Sequence, residues 1–328
     1  MIAFESVSKT YPTGYQAIED LSLEIAEGET LVWLGTSGSG KTTVLKLINR
    51  LIEPTSGFVR IAGLNIRDLD PVQLRRRIGY VVQEIGLFPH MTIEENMSVV
   101  PRLLGWTPSR IETRLLELFE LVGLDPAEFR GRYPRHLSGG QRQRVGVARA
   151  LAADPPIILM DEPFGALDPI TRAQLQDEFA ELQERLRKTV VFVTHDVFEA
   201  VRLADRIAFL DRGRLQQVGT PADIVEHPAN HFVDQFLGKH RFHLQMLTRT
   251  VGSLPDWGER SLEPPPETEP SEHLHIRNTV LQALDMFKRT NTRTLPVYEG
   301  DRFRGTLDRR ILIEAMVDIM GEGRVGAC

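Results

Sequence analysis

An α/β protein built on a mostly parallel sheet flanked by helices, with a small α+β unit after it, is what this sequence predicts. Three observations carry the prediction. From Ile2 to about Leu215, apolar runs of strand length alternate with helical periods. A glycine-rich stretch, Gly35-Thr36-Ser37-Gly38-Ser39-Gly40-Lys41-Thr42, stands between the apolar run Leu31 to Leu34 and the helical pattern Val44, Leu45, Leu47, Ile48, Leu51. A second apolar run, Ile157 to Met160, ends in Asp161-Glu162, as a strand buried on both faces does when it delivers carboxylates at its carboxyl edge.

The first element is therefore a strand, a glycine loop and a helix, which is the context of a phosphate-binding P-loop. Glycines let backbone N–H groups converge on phosphate oxygens, and the following helix aims its positive dipole end at the same place. Lys41 then reaches the β- and γ-phosphates and Thr42 holds Mg²⁺. Chance supplies this spacing in about one chain in a hundred of this length. Asp161, 120 positions after Lys41, is the natural second Mg²⁺ partner at the edge where open α/β sheets bind ligands. Glu162 is placed to polarise an attacking water. Val190 to Val193 is another buried strand, and it delivers His195 to the same edge.

Between these elements, Leu137-Ser138-Gly139-Gly140-Gln141 precedes the helical pattern Val145, Ala148, Leu151, so Ser138 and the N–H groups of Gly139 and Gly140 form a second anion-binding helix N-terminus. One chain thus holds two phosphate cradles. With this segment the sequence resembles the nucleotide-binding subunits of ABC transporters over roughly residues 1 to 240. Their landmarks include the Leu-Ser-Gly-Gly-Gln signature, an aromatic residue on adenine at Tyr11, the Q-loop glutamine at Gln83, the D-loop Gly165-Ala166-Leu167-Asp168 and the switch histidine of Thr194-His195-Asp196.

The resemblance implies a P-loop NTPase of ABC type with antiparallel β and helical subdomains. It implies ATP and Mg²⁺ as cofactors and a head-to-tail dimer with two sandwiched ATP molecules. Tyr11, the run Gly35 to Thr42 and Thr43 bind one ATP, while Ser138, Gly139, Gly140, Gln141 and Asp168 reach the ATP of the partner copy. Mg²⁺ falls to Thr42, Gln83 and Asp161, and catalysis to Glu162, His195 and Gln83, with His195 on the γ-phosphate. Residues 84–154 become the helical subdomain, whose period is visible at Ile111, Leu115, Leu118, Phe119 and Val122. The stretch Gln83 to Met97, with Phe88, Pro89 and Met91, is the part expected nearest the transmembrane permease subunits.

Composition bounds the alternatives. The 328 residues are 41% hydrophobic and 26% charged with net charge −6, as in ordinary globular proteins able to bury a core. Arg75-Arg76-Arg77 reads as a solvated basic face, and an acidic chain without a basic tail gives no support to a nucleic-acid partner. No apolar stretch approaches eighteen residues and the start has no long apolar leader, so the expected location is the cytoplasmic face of the membrane, peripherally. The single cysteine, Cys328, excludes an internal disulfide framework. A P-loop kinase would lack the signature, and a DNA-repair or chromosome-type ABC ATPase needs a long insertion where only 96 positions separate Lys41 from Leu137.

Residues 241–272 are expected to link two domains, because Ser253 to Glu272 holds five prolines and six acids against one basic residue. Residues 273–320 then follow the order β-α-β-β-α: a short strand over His273 to Ile276, a helix marked by Val280, Leu284 and Phe287, a hairpin turning at Glu299 to Arg302, and a closing helix from Arg310 to Met320. The order looks like a single CBS repeat. Such repeats work in pairs, so pairing across the dimer is expected. Asp308 and Ile311 stand where nucleotide-binding repeats carry Ser or Thr and then Asp, which puts an adenosyl ligand in doubt.

An ABC ATPase with such a tail resembles the importers of quaternary amine osmoprotectants (glycine betaine, choline, carnitine), and Gln83 to Thr92, Val100 to Trp106 and Asp168 to Arg172 are close to that pattern. An amino-acid or other small-solute importer is the alternative. Recognition of a quaternary ammonium needs an aromatic cage, expected in a separate substrate-binding protein.

Overall fold

Two antiparallel strands, β1 (Ile2–Thr10) and β2 (Gln16–Ile25), open the computed structural model, and the wholly buried β3 (Thr30–Leu34) follows. The structure describes residues 1–82, 86–165, 167–254, 273–300 and 302–322, without the side chains at 184–186 and 320–322. Gln83, Ala166 and the proline-rich stretch 255–272 lie outside the described residues. The described chain divides into units Met1–Val218 and Gly219–Cys328.

In the first unit, α1 (Lys41–Ile48) leaves the glycine loop, and β4 (Ser56–Ile61) and β5 (Leu64–Asn65) join the opening strands. The helix ends before Leu51, which the sequence pattern includes in it and which stays exposed. Next come α2 (Pro71–Arg76) and β6 (Ile78–Val81), then the helical subdomain α3 (Ile93–Leu103), α4 (Pro108–Leu121), α5 (Pro126–Phe129) and α6 (Gly139–Leu151). As its period requires, α4 buries Ile111, Leu115, Leu118 and Phe119. The unit closes with β7 (Ile157–Asp161), α7 (Pro169–Leu186), β8 (Thr189–Thr194), α8 (Val197–Leu203), β9 (Arg206–Asp211) and β10 (Arg214–Gly219).

Two sheets form this unit among the described residues: a four-stranded one in the order β2-β1-β4-β5, and a six-stranded one in the order β10-β9-β3-β8-β7-β6. In the second, β6, β7, β8, β3 and β9 run parallel. Their buried Val, Ile, Leu and Phe side chains explain the unbroken apolar runs, since helices cover both faces of such a sheet. The side chains of Leu45, Ile48, Trp33, Leu159 and Val191 join those of Phe4 and Val59 in one core, which fixes the antiparallel sheet beside the parallel one.

The second unit starts earlier than the sequence reading places it. Its helices α9 (Pro221–Glu226), α10 (His231–Leu237) and α11 (Arg241–Thr248) precede β11 (Leu274–His275), α12 (Val280–Thr290), β12 (Thr294–Glu299), β13 (Arg302–Asp308) and α13 (Arg309–Glu322). Within residues 241–254, expected as part of a linker, Arg241–Thr248 and the turn Val251–Ser253 are helical instead. Met246, Val251 and Leu254 share a core with Leu274, Phe287, Val297 and Leu312, so removing them from water stabilises helix where composition alone suggested none. Strand β12 pairs parallel with β11 and antiparallel with β13, the latter as a hairpin.

Candidate functional site

Strand order puts β3, β8 and β7 side by side in the six-stranded sheet. Leu34 is in register with Thr194, and Val193 with Asp161. The next residues, Gly35, His195 and Glu162, therefore leave the sheet along one edge at spacings of about 4.8 Å per strand. A cavity of about 460 Å³ opens there, lined by Ser37, Gly38, Lys41 and Thr42 of the loop together with Glu162 and His195.

The Lys41 ammonium is buried and donates to the carbonyl oxygens of Gly35 and Thr36, both at 2.8 Å. Burial lowers its pKa, while the charges of Glu162 and Asp161 work in the opposite direction. Thr42 Oγ1 donates to Asp161 Oδ1 at 3.1 Å. Asp161 is only 6% exposed. Burial pushes its carboxyl up, the Thr42 hydrogen bond opposes that, and Glu162 adds to it. The effect spreads to Tyr80 on β6, whose phenol is pushed up to about 12 by burial and by Asp161. A buried carboxylate bonded to a hydroxyl is a hard-oxygen pair of the kind Mg²⁺ takes.

Glu162 sits at φ 44, in the left-handed region. That conformation costs a non-glycine residue about 1–3 kcal/mol, and two backbone bonds hold it: Glu162 N–H donates to Val193 O at 2.9 Å, and Gly165 N–H donates to Glu162 O at 3.1 Å. The turn aims the carboxylate at His195, whose Nδ1 lies 3.2 Å from Glu162 Oε1. Acid and imidazole thus face one another at the mouth of the cavity that holds Lys41.

Tyr11 reaches Thr43, hydroxyl to hydroxyl at 3.4 Å. Sequence reasoning missed Tyr15, which lines the cavity and donates its hydroxyl to Gly38 O at 2.8 Å. The two rings stack with centroids 6.5 Å apart, because Tyr11 and Tyr15 flank a tight Pro12-Thr13-Gly14 turn joining β1 to β2. The signal was in the sequence: a Pro-Thr-Gly turn between strands makes its flanking residues neighbours.

Ser138, Gly139, Gly140, Gln141 and Asp168 do not line this cavity. Ser138 caps α6, accepting from Gln141 N–H at 3.2 Å while Gln141 Oε1 accepts from Ser138 N–H at 2.9 Å. Asp168 caps α7, accepting from the N–H groups of Ile170 at 3.2 Å and Thr171 at 3.1 Å. A hydrogen bond from the Thr171 side chain, and then these N–H bonds, hold its carboxyl below the usual range. A Cβ on Gly140 would stand 2.7 Å from Thr171 Cγ2, so the second cradle packs against the start of α7 with no room for a side chain. The structure therefore brings the loop, Asp161, Glu162 and His195 together, and sets the signature apart from them.

The family model for ABC transporters matches residues 18–165. The choline transport ATP-binding protein OpuBA of Bacillus subtilis (strain 168) is 59% identical over 241 residues, which is 74% of this chain and 63% of that protein. The chain thus spans less than two thirds of that relative. The glycine betaine uptake system ATP-binding protein YehX of Escherichia coli (strain K12) is 47% identical over 297 residues, 90% of this chain and 94% of that protein, a span that must include part of the C-terminal unit. Among solved structures, the dimeric post-hydrolysis state of the ATP-binding cassette MJ0796 bound to ADP and Pi matches with a TM-score of 0.60 at 38% identity, covering 67% of this chain and 98% of that one. Sheet order and helical subdomain are those of an ABC cassette, and identity this high over most of a relative's length leaves one placement: the chain belongs to the ATP-binding proteins of ABC transporters.

Proposed function

We propose that the chain is the ATP-hydrolysing subunit of an importer of quaternary amine osmoprotectants such as glycine betaine, choline or carnitine. The names of its relatives support the substrate class. The observation that carries hydrolysis is the Glu162–His195 pair, 3.2 Å apart beside Lys41 in one cavity. ATP lies with its phosphates in the loop Gly35 to Thr42, where Lys41 exchanges its two carbonyl partners for phosphate oxygens. Tyr11 and Tyr15 flank the adenine end. Glu162 orients the water that attacks the γ-phosphorus as the bond to the bridging oxygen breaks, and His195 holds Glu162 and the γ-phosphate in place. Thr42 and Asp161, with Gln83, would hold Mg²⁺, which when bound neutralises phosphate charge.

Ser138, Gly139, Gly140, Gln141 and Asp168 of a second copy complete the site, so closure of a head-to-tail dimer is tied to ATP. No helix among the described residues is long and apolar enough to cross a membrane. The chain works peripherally at the cytoplasmic face, under transmembrane permease subunits and indirectly with a substrate-binding protein. The largely exposed Phe88 to Met91 segment, whose backbone Asn96 holds through bonds to Phe88 and Met91, is the docking edge toward the permease.

Glycine betaine should stimulate ATP hydrolysis by the assembled importer in liposomes, and Glu162→Gln should abolish turnover while trapping ATP in a closed dimer. Normal turnover in that variant sinks the catalytic assignment, and indifference to betaine moves the substrate to another solute. The tail is a CBS-like half-module that pairs across the dimer through α13, where Ile313 and Val317 are exposed one turn apart. Sedimentation of the nucleotide-free chain with both changed to Ser checks this: unchanged self-association refutes pairing through that face.

A further inference from the structure

Behind the site lies a buried polar network that the reaction as described does not use. Glu199, on α8, is 4% exposed. Its Oε2 accepts the hydroxyl of Thr194 at 2.6 Å, and its Oε1 accepts the side-chain amide of Gln176 at 3.1 Å. Thr194 is the residue before His195, and its hydroxyl oxygen also accepts the N–H of Asp196 at 3.0 Å. The hydroxyl thus holds the backbone on the far side of His195, while Glu199 holds the hydroxyl. Gln176 belongs to α7, whose cap is Asp168. One turn on, Arg172 donates to the carbonyl oxygens of Phe164 at 3.2 Å and Leu167 at 3.0 Å, clasping the loop that runs from Glu162 to the cap. Asp168, Arg172 and Gln176 are four residues apart and share one face of the helix.

We infer that Glu199 is a positioning residue that couples α7, and with it the Asp168 loop, to the switch histidine. Displacement of α7 at its N-terminus, where Asp168 meets the other copy, is carried along the Arg172–Gln176 face to Glu199 and from there through Thr194 to His195. Burial of a carboxylate is costly unless its oxygens are bonded, and both oxygens here are bonded to two different elements, so neither element moves without straining the other. The surrounding charges are Asp196, Arg172 and His195, which act on Glu199 with opposing signs. A carboxylate placed only to fill the core would be replaced without loss by a hydrocarbon of its size. This one joins the loop that carries His195, at this copy's ATP, to the loop that carries Asp168, which in the proposed dimer reaches the ATP of the other copy. The inference rests on the proposed ATPase function, which wild-type ATP hydrolysis tests separately.

The experiment is steady-state ATP hydrolysis by the full chain assembled with its permease, with thermal unfolding measured alongside. Glu199→Ala should lower kcat by about 10-fold to 100-fold while KM for ATP stays within about twofold, because the P-loop contacts are untouched. Glu199→Gln should recover most of the rate, since Gln can still accept from Gln176 and the Thr194 hydroxyl can accept its amide. In a His195→Ala background, Glu199→Ala should add nothing, as expected if Glu199 acts only through that side chain. Gln176→Leu cuts the α7 leg alone and covers the case in which Glu199→Ala fails to fold; it should show the same loss in kcat alone. A normal kcat in Gln176→Leu, equal losses in kcat and 1/KM, or an additive loss on His195→Ala each overturn the coupling. Absence of hydrolysis in the wild type would instead overturn the function on which it rests.

Discussion

Replacing Gly35 and Gly38 by Ala separates two reasons for glycine in one loop. Gly35 has an ordinary φ, yet a Cβ there would stand 2.1 Å from the carbonyl oxygen of Leu210 on β9 and 3.0 Å from Ser39 Oγ. Contact distances between carbon and carbonyl oxygen exceed 3 Å, so loop and strand must part by about 1 Å, and overpacking of this kind costs about 1–3 kcal/mol. Gly38 presents the opposite case, with φ +77 and nothing within 4 Å of a Cβ. Its substitution costs the left-handed penalty of about 1–2 kcal/mol, less about 0.5 kcal/mol from the stiffer unfolded chain. In a unit of this size each kcal/mol shifts the midpoint by about 2–4 °C. Differential scanning calorimetry of the nucleotide-free chain should find the N-terminal transition lowered by about 4–8 °C in Gly35→Ala and by about 2–4 °C in Gly38→Ala. Because the Gly35 displacement shifts the carbonyl that Lys41 holds, binding of a fluorescent ATP analogue should weaken in that variant as well. Equal shifts, or a larger one for Gly38→Ala, would refute the claim that close approach of β9 and not backbone conformation demands glycine at position 35.

Two further outcomes are expected. The Asp161 carboxyl is raised above its ordinary value of 3.8 by burial, so the folded chain binds that proton more readily than the unfolded one. The stability this contributes is fully present below the unfolded pKa and lost as pH rises through the folded one. Asp161→Asn should therefore melt higher than wild type at neutral pH without nucleotide, lose that advantage near pH 4, and fail to bind ATP in a Mg²⁺-dependent way; an advantage independent of pH refutes the burial account. Tyr15→Phe keeps the ring stacked on Tyr11 but removes the hydrogen bond to Gly38 O, and Tyr15→Ala removes both. Affinity for ATP should fall in the order wild type, Phe, Ala, by about 1 kcal/mol at each step, as titration calorimetry would read; no change in either variant removes Tyr15 from the site.

What could be read from the chain alone follows from how local the physics is. Gly35 to Thr42 between an apolar run and a helical period, and Asp161-Glu162 at the end of another, are short-range patterns, and so the strand ends and helix starts that carry the candidate residues were legible. The period of α4 and the β-α-β-β-α order of the tail are likewise properties of neighbours in sequence. Leu51 shows the limit, since its helical spacing is right but the chain turns at Asn49 and leaves it in solvent.

Contacts between residues far apart in sequence were decided by the tertiary structure. Residues 241–254 were read together with the proline-rich stretch that follows them, and Met246, Val251 and Leu254 instead find Leu274 and Phe287 to pack against. Tyr15 enters the site because a hairpin returns it to Tyr11. The Gln176–Glu199–Thr194 bridge exists only because α8 lies against both α7 and β8, joining residues 23 and 5 positions apart through one carboxylate. By itself the sequence determined the local setting of each candidate group, since each is set by a strand end and the turn beside it. Which strands adjoin, and therefore that Gly35, His195 and Glu162 share one edge while Ser138 does not reach it, depended on burial of the whole sheet, a balance that no single segment contains.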